Sequence, residues 1–385
     1  MEDDRELAYW LALRRAGLGS TNFSLLLARF SSIGEAWKAP LEAVAAAGLD
    51  AQYVRGVAKA RARFDPETEL SALTEHGVRV YTWLDADFPA SLRDIPQSPP
   101  VLFVRGKLGP QFDQAVAVVG TRHVTPYGRQ ACEHFCEALA QAGVAIISGL
   151  ARGVDAIAHR VALENGGATV AVLAGGIDQV YPRENAGLAE RILENGCLVS
   201  EYPVGIPARP DYFPRRNRIL SGLARATLLV EAGEGSGTLH TANWAFEQGR
   251  DVFAIPGSIF SRQSWATNQL IRENTAKLVA TPAQLCEELN LLAAGAQMPF
   301  ERSRFSEPPI ATKNAATRAV VESTMRVPLK GDEGLIVAAI DGESAHIDAI
   351  ARASGLPIAT VSATLQILEL QGIVRASGPM TYARV

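Results

Sequence analysis

Four apolar runs between Ala115 and Gly237 each stop at a glycine-bearing loop. They end in Val119-Gly120-Thr121-Arg122, Ser148-Gly149-Leu150-Ala151-Arg152-Gly153, Ala174-Gly175-Gly176 and Ala232-Gly233-Glu234-Gly235-Ser236-Gly237-Thr238. Glycine lets a backbone approach a ligand closely. A helix opening after such a loop presents unpaired N–H groups and partial positive charge. The chemistry on offer is anion binding, to phosphate above all. Between the last two loops lies Phe213-Pro214-Arg215-Arg216-Asn217-Arg218. From Gly205 to Arg225 the cations are Arg209, Arg215, Arg216, Arg218 and Arg225, opposed only by Asp211. Guanidinium forks meet two phosphate oxygens at once. Tyr212 and Phe213 add ring faces for stacking on bases, which rewards unpaired strands over duplex. The plainer alternative is a solvated arginine helix with a buried Phe.

Other chemistries lack their residues. No glycine loop ends in the Gly-Lys-Ser/Thr that grips phosphates and Mg²⁺. The spacing of the third glycine in Gly233–Gly237 is wrong for a dinucleotide fingerprint. Asp155 and His159 stand one helical turn apart and could form an acid/base pair; more simply, Asp155 is a carboxylate stabilised near a helix N-terminus. Cys132 and Cys136 read as small buried thiols on an amphipathic helix rather than as a metal site. No nucleophile–base–orienter set or metal-ligand cluster stands out. No catalytic residue, metal or cofactor is expected.

The elements that would position these loops follow from hydrophobic period. Residues Glu6 to Phe64 read as short helices broken at Gly17-Leu18-Gly19-Ser20 and Ser32-Ile33-Gly34. The turn Ala16–Gly19 suits part of a helix-hairpin-helix or a simple helix connection. From Val78 the period changes. Val78–Trp83 and Val101–Val104 are predicted strands. Then come Ala115–Val119, Val144–Ile147, Thr169–Leu173, Cys197–Ser200, Thr227–Val230 and Val252–Ile255, alternating with helices that start near Tyr127, Val154, Arg183, Pro214 and Thr238. This alternation predicts βαβ units, and nearly continuous apolar strands predict a parallel sheet covered on both faces. The fold class is therefore α/β with a doubly wound sheet. Residues 293–330 lose periodicity and read as a linker with an r.m.s. reach of about 30 Å. Leu335–Ile340, Ile347–Ala353 and Ile358–Leu370 then give three helices, and Val374 with Tyr382 a hairpin, which is a winged-helix pattern. The expected domains are 1–65 (helical), 66–292 (sheet), 293–330 (linker) and 331–385 (winged helix).

Bulk composition narrows the setting. The chain has 385 residues, 48% of them hydrophobic and 20% charged, with a net charge of −4. Polyanion binding must therefore come from local clustering. Four scattered cysteines do not make a disulfide framework and fit a reducing cytosol. The acidic start lacks a signal-peptide core, and no apolar run approaches the ~20 residues of a membrane span. A cytoplasmic protein without a membrane partner is expected.

At this point the sequence resembles the DNA-processing protein A family (DprA, also called Smf). The matching stretches are Val118–Arg122, Thr125-Pro126-Tyr127-Gly128, Ser148–Asp155 with Ala158-His159, Tyr181-Pro182, Ser200-Glu201-Tyr202-Pro203, Phe213–Arg218, Glu231-Ala232, Gly249-Arg250 and Ile255-Pro256-Gly257-Ser258. They span about Asp85 to Ala280 in the family's order. The resemblance implies a Rossmann-like sheet domain flanked by an N-terminal helical domain of SAM-like or helix-hairpin-helix type and a C-terminal winged helix of the DML1-like kind. It implies a homodimeric protein without enzyme activity that binds and protects incoming single-stranded DNA and loads RecA onto it during natural transformation. A single-strand-binding protein or other competence proteins would be partners of the terminal domains. Residue by residue, the DNA pocket would use Gly120, Thr121, Arg122, Ser148, Gly149, Ala151, Arg152, Gly153, Phe213, Asn217, Arg218, Gly235, Ser236 and Gly237. Arg209 is the nearest candidate for the family's basic residue before the Phe-Pro pair. The chain departs from the family's pattern at His240, at Ala266-Thr267-Asn268 and at Glu273–Ala276.

Two rival readings belong to other classes. The sheet and the Gly-Ser-Gly-Thr loop also resemble nucleotide phosphoribohydrolases, but the Glu those enzymes carry three residues after Gly-Thr is Thr241 here. The other is a protein-interaction adaptor with a vestigial pocket. The third helix of the winged unit, Ile358–Leu370, has no Lys or Arg, which predicts protein interaction or weak DNA binding rather than tight duplex binding.

Overall fold

The computed structural model describes residues 2–290, 331–340, 345–370, 373–378 and 380–384; the linker expected over 293–330 lies outside the described residues. The described residues fall into two compact units, one within Met1–Phe300 and the other within Glu301–Val385.

The first unit opens with helices α1 (Glu2–Arg15), α2 (Ser20–Arg29), α3 (Ile33–Lys38), α4 (Leu41–Ala46), α5 (Ala51–Arg61) and α6 (Pro66–Glu75). Strand β1 (Val78–Thr82), helix α7 (Ala90–Arg93) and strand β2 (Val101–Gly106) follow. The alternating part runs β3 (Ala115–Val119), α8 (Pro126–Gln141), β4 (Ala145–Ser148), α9 (Val154–Glu164), β5 (Thr169–Val172), α10 (Ala186–Ile192), β6 (Gly196–Ser200), α11 (Tyr212–Leu223), β7 (Ala226–Leu229), α12 (Thr238–Glu247) and β8 (Asp251–Ala254). It ends with α13 (Trp265–Arg272), β9 (Lys277–Leu278) and α14 (Pro282–Glu288).

The nine strands form one sheet in the order β1-β2-β6-β5-β4-β3-β7-β8-β9. From β6 to β9 neighbours are parallel, while β1 and β2 are added antiparallel at one edge. The chain winds outward from β3 to β6, crosses back through α11, and resumes beside β3 with β7. The β3–β7 junction is thus the switch point of a Rossmann-like doubly wound sheet, where loops diverge and leave a crevice.

Alternation along the strands sorts side chains into layers. On β3, Ala115, Ala117 and Val119 share a core with Ile219 and Leu220 of α11 and Ala242 of α12. Val116 and Val118 point the other way, to Phe135 and Leu139 of α8 and Ile157 of α9. Toward β2 and β6 that second face is covered instead by the N-terminal helices: Trp10, Leu13, Phe23 and Leu26 share a core with Phe103 and Leu198. Helix α6 joins this layer, with Leu73 in the core and Glu69 ion-paired to Arg15 at 2.6 Å. Cys132 and Cys136 are buried among the α8 and α9 side chains, their sulfurs 3.9 Å apart.

The second unit contains α15 (Asp332–Ala338), β10 (Ala345–His346), α16 (Ile347–Ser354), α17 (Ile358–Leu370), β11 (Val374–Gly378) and β12 (Thr381–Arg384). Its sheet runs β10-β12-β11, the arrangement of a winged helix. Val361, Leu365 and Leu368 put one stripe of α17 into the core with Ile336 and Ile350, the spacing of an amphipathic helix.

Candidate functional site

A cleft of about 660 Å³ opens at the switch point. Loops after β3, β4 and β7 and the first turns of α11 and α12 line it. The third glycine loop, Ala174–Gly176, is not part of this lining: Gly176 N donates to Ile206 O, tying that loop to the segment before α11.

Of the residues expected in the site, the cleft brings together Gly120, Thr121, Arg122, Ala151, Phe213, Asn217, Ser236 and Gly237. Ser148, Gly149 and Gly153 lie behind it as framework. Ser148 Oγ donates to Val118 O at 2.7 Å, joining β4 to β3. Gly153 has φ +74, and a Cβ there would collide with the Thr121 carbonyl. The two loops can approach only because this residue is glycine. Gly235, at φ +68, shapes the last loop without lining the cleft. Arg152 is exposed and held by both carboxylate oxygens of Glu184 at 2.7 and 2.8 Å. Arg209 is also exposed, 3.6 Å from Asp211, with its guanidinium over the Tyr212 ring.

The arginine box divides by helical geometry. At about 3.6 residues per turn, Phe213, Arg216, Asn217 and Leu220 share the face of α11 that lines the cleft. Arg215 is exposed and Arg218 is turned away. Arg218 is buried, gripping Glu201 through both oxygens at 3.0 and 2.8 Å. Its Nε donates to Gln97 O at 2.9 Å. Arg216 instead lies beneath the cleft. Its Nη1 donates to Gly149 O at 2.8 Å and to Val172 O. A Cβ on Gly149 would strike this guanidinium. Burial pulls the Arg216 pKa down to about 10, with Asp155 opposing and Arg122 reinforcing the drop, so it stays charged at neutral pH.

Phe213 is the centre of the lining. The Arg122 and Arg216 guanidiniums sit 5.5 and 5.9 Å from its ring centroid. Tyr181 meets it edge-on at 5.8 Å and 69°. Half-buried, the ring keeps an accessible part toward the cleft, with these cations beside it.

Backbone amides do less than the glycine pattern suggests. Asp155 Oδ2 accepts from Gly149 N and Ala151 N at 3.1 and 3.3 Å, so these donors of the β4 loop are occupied. Leu150 between them is held at φ +54, and Asn185 Nδ2 donates to its carbonyl at 2.8 Å. Thr121 N donates to Glu231 O at 2.7 Å and Val154 N to Thr121 O at 3.2 Å. At the start of α12, Thr238 N donates to Ser236 Oγ at 3.3 Å. The side-chain charge facing the cleft therefore comes from the exposed Arg122, with the buried Arg216 beneath it and the N-terminal end of α12 beside them.

Asp155 and His159 do not act as a pair on the cleft. His159 is fully buried, its Nδ1 2.7 Å from Thr169 Oγ1. Thr169 spends its single proton on Ile146 O at 2.7 Å, so the imidazole donates from Nδ1. Burial, reinforced by Arg216, lowers the His159 pKa to about 3, which keeps it neutral.

Sequence reasoning missed Arg216, Tyr181, His123 and Gln263 as cleft residues. For Arg216 the signal was present in the i, i+3, i+4, i+7 spacing from Phe213. Two of the departures from the family pattern fall around the same edge, while Glu273–Ala276 leads into the start of β9 at the opposite edge of the sheet. His240 lines the cleft. Ala266, standing where the family has glycine, donates its N–H to Ala232 O at 2.8 Å, and the Asn268 that the family shares clasps Gly257 through both backbone groups, at 3.1 and 3.0 Å, fixing the turn after β8.

Comparisons with known proteins agree with this fold. The model of a family described as DNA recombination-mediator protein A matches residues 79–290, and that of the DprA winged helix domain matches residues 323–378. Protein Smf of Synechocystis is 34% identical over 98% of this chain and 99% of its own length. Protein Smf of Escherichia coli is 38% identical over 78% of this chain and 76% of its own. The X-ray structure of DNA processing protein A from Streptococcus pneumoniae matches with a TM-score of 0.64 and 32% identity, covering 73% of this chain and 97% of that one. A structure of DNA processing protein A from Helicobacter pylori, described for its single-stranded DNA binding mode, matches with a TM-score of 0.50 and 26% identity over 55% of this chain and 95% of that one. With the sheet domain matched almost throughout and one relative matched nearly end to end, the chain belongs to the DNA recombination-mediator protein A family.

Proposed function

We propose that this chain binds single-stranded DNA along the switch-point cleft. The observation that carries the reading is Phe213, presented at the cleft with the guanidiniums of Arg122 and Arg216 at 5.5 and 5.9 Å from its ring centroid. A ring face with adjacent cations suits a stacked base and its phosphates, and it requires an unpaired base. The Helicobacter pylori relative supports the choice of ligand. Gly120, Thr121, Arg122, Ala151, Phe213, Asn217, Ser236 and Gly237 would meet the strand, with the buried Arg216 adding positive charge from beneath. Ser148, Gly149 and Gly153 would shape its floor, Gly235 would set the last loop, and Arg152 and Arg209 would lie on the rim. Arg218 would act through Glu201.

The finer reading is a cytoplasmic homodimer that protects incoming strands and loads RecA onto them, without enzyme activity. Thr241 at the position of the phosphoribohydrolase carboxylate and the burial of His159 speak against base release. Titration of fluorescent oligo-dT against blunt duplex tests the binding reading, and single-turnover assays with nucleoside monophosphates test the enzyme rival. Equal affinity for blunt duplex would overturn the first, and free base would revive the second. Accelerated RecA filament assembly on dT tracts is the expected outcome for the loading step.

A further inference from the structure

Phe213 is not alone among rings in the cleft: Tyr181 lines it too. Tyr181 stands on the segment between β5 and α10, which begins as the third glycine loop. Ala174–Gly176 is drawn away to Ile206, yet further along the same segment returns to the cleft at Tyr181. Two side chains fasten it there. Asn185 Nδ2 donates to Leu150 O at 2.8 Å and to Ala151 O at 3.3 Å. Glu184 accepts from Arg152 through both carboxylate oxygens, at 2.7 and 2.8 Å. Both anchors reach the β4 loop, so the backbone that carries Tyr181 is braced against the wall that carries Ala151.

The ring itself is left open. Pro182 beside it is buried, but Tyr181 is 56% exposed. Its neighbour across the cleft lining is Phe213, with ring centroids 5.8 Å apart and planes inclined at 69°. One exposed ring is ordinary on a protein surface. Two rings in contact inside one cleft, beside the Arg122 guanidinium, make a pair of base-sized platforms. Bases lying flat on the two rings would share their inclination. A duplex keeps successive bases nearly parallel, and turning a base out of the stack costs least in a strand that is already single.

We infer that Tyr181 is a second base platform: the base next to the one on Phe213 lies on the Tyr181 ring, and the strand bends between them. The inference rests on the cleft being the single-stranded DNA site. The bend, and not only the need for an unpaired base, then becomes a reason for duplex to be refused. Ring faces hold any base, so the second platform adds affinity without sequence choice.

The test uses the full chain, the variants Tyr181→Ala, Tyr181→Leu and Tyr181→Phe, and the shortest oligo-dT that the wild type binds, read by fluorescence anisotropy. Tyr181→Ala and Tyr181→Leu should bind about tenfold more weakly, and Tyr181→Phe within about twofold of the wild type. Leucine keeps an apolar neighbour beside Phe213 but offers no flat face. An abasic residue placed at each position in turn should cost the wild type affinity at two adjacent positions, and Tyr181→Leu at only one of them. A Tyr181→Leu protein that binds as tightly as the wild type overturns the inference and makes the side chain a prop for Phe213. A loss in Tyr181→Phe equal to that in Tyr181→Ala overturns it as well, because the hydroxyl and not the ring would carry the contact. If Phe213→Ala weakens binding and no Tyr181 variant does, the second platform falls and the cleft reading stands. If the wild type binds no oligomer, the cleft reading falls and the platform with it.

Discussion

Arg218 and Glu201 form a two-pronged buried pair, Nη1 to Oε1 at 3.0 Å and Nη2 to Oε2 at 2.8 Å. Arg14 of α1 completes it, donating to the Glu201 carbonyl at 3.0 Å and its carboxylate at 3.3 Å. Next along the chain, Tyr202 lies under the Arg14 guanidinium and stacks on Tyr212 at 4.0 Å and 16°. The N-terminal helices are thereby fastened to the first turns of α11, the helix that presents Phe213.

Replacing Glu201 with Ala takes the carboxylate from the buried Arg218 and the half-buried Arg14. We expect a loss of about 3–5 kcal/mol in urea unfolding, and a weakened DNA affinity although residue 201 does not line the cleft. Burial alone would raise the Glu201 carboxyl, but Arg218 and then Arg14 outweigh it and hold the carboxyl below its ordinary 4.5. The unfolded chain then binds this proton more readily, so the stability is complete above pH 4.5 and is lost as pH falls through the lower folded value. In Glu201→Gln that acid-side loss disappears; an unchanged acid limb would remove the pair from the account.

His159 gives a separate pH window. Its folded pKa of about 3 lies below its ordinary 6.5, so the unfolded chain takes up the proton first. Stability therefore declines as pH drops from 6.5 toward 3, by up to about 1.4 kcal/mol per pH unit. His159→Gln should flatten the slope between these limits, checked by urea midpoints at a series of pH values. A slope that persists in the variant would place the proton uptake elsewhere.

Arg122 and Arg216 should separate under mutation. Arg122 is exposed, so Arg122→Ala is expected to leave the melting temperature unchanged. It should weaken oligo-dT binding and reduce the log–log salt slope by about 0.7 for a lost phosphate. Arg216→Ala strips hydrogen bonds from the buried carbonyls of Gly149 and Val172. It should cost about 1–3 kcal/mol of stability as well as affinity. Identical behaviour of the two variants would contradict the division of the arginine box.

Phe213→Ala should lower oligo-dT affinity by about 1–3 kcal/mol, measured by anisotropy, and Phe213→Tyr should retain most of it. A Phe213→Ala protein that binds as tightly as the wild type would take the ring out of the site.

Much of the sheet was legible because its strands are buried on both faces, and apolar runs such as Ala115–Val119 announce this directly. The two-residue strands β9 and β10 were not, since they owe their existence to a neighbour's edge rather than to their own pattern. The cleft was legible as a set of loops but not as a set of donors. Nothing in Ser148–Asp155 says that the carboxylate folds back onto its own loop amides, because that depends on the turn geometry around Leu150. Likewise, the five arginines between Gly205 and Arg225 do not reveal which one lines the cleft until the helical phase is fixed by Phe213.

The closure of Asp155 onto the amides of Gly149 and Ala151 has a kinetic consequence. These walls are held by bonds internal to the protein, so the cost of ordering them is met when the chain folds, not when a strand arrives. Association need not wait for a loop to set, and its rate should follow diffusion and ionic strength alone.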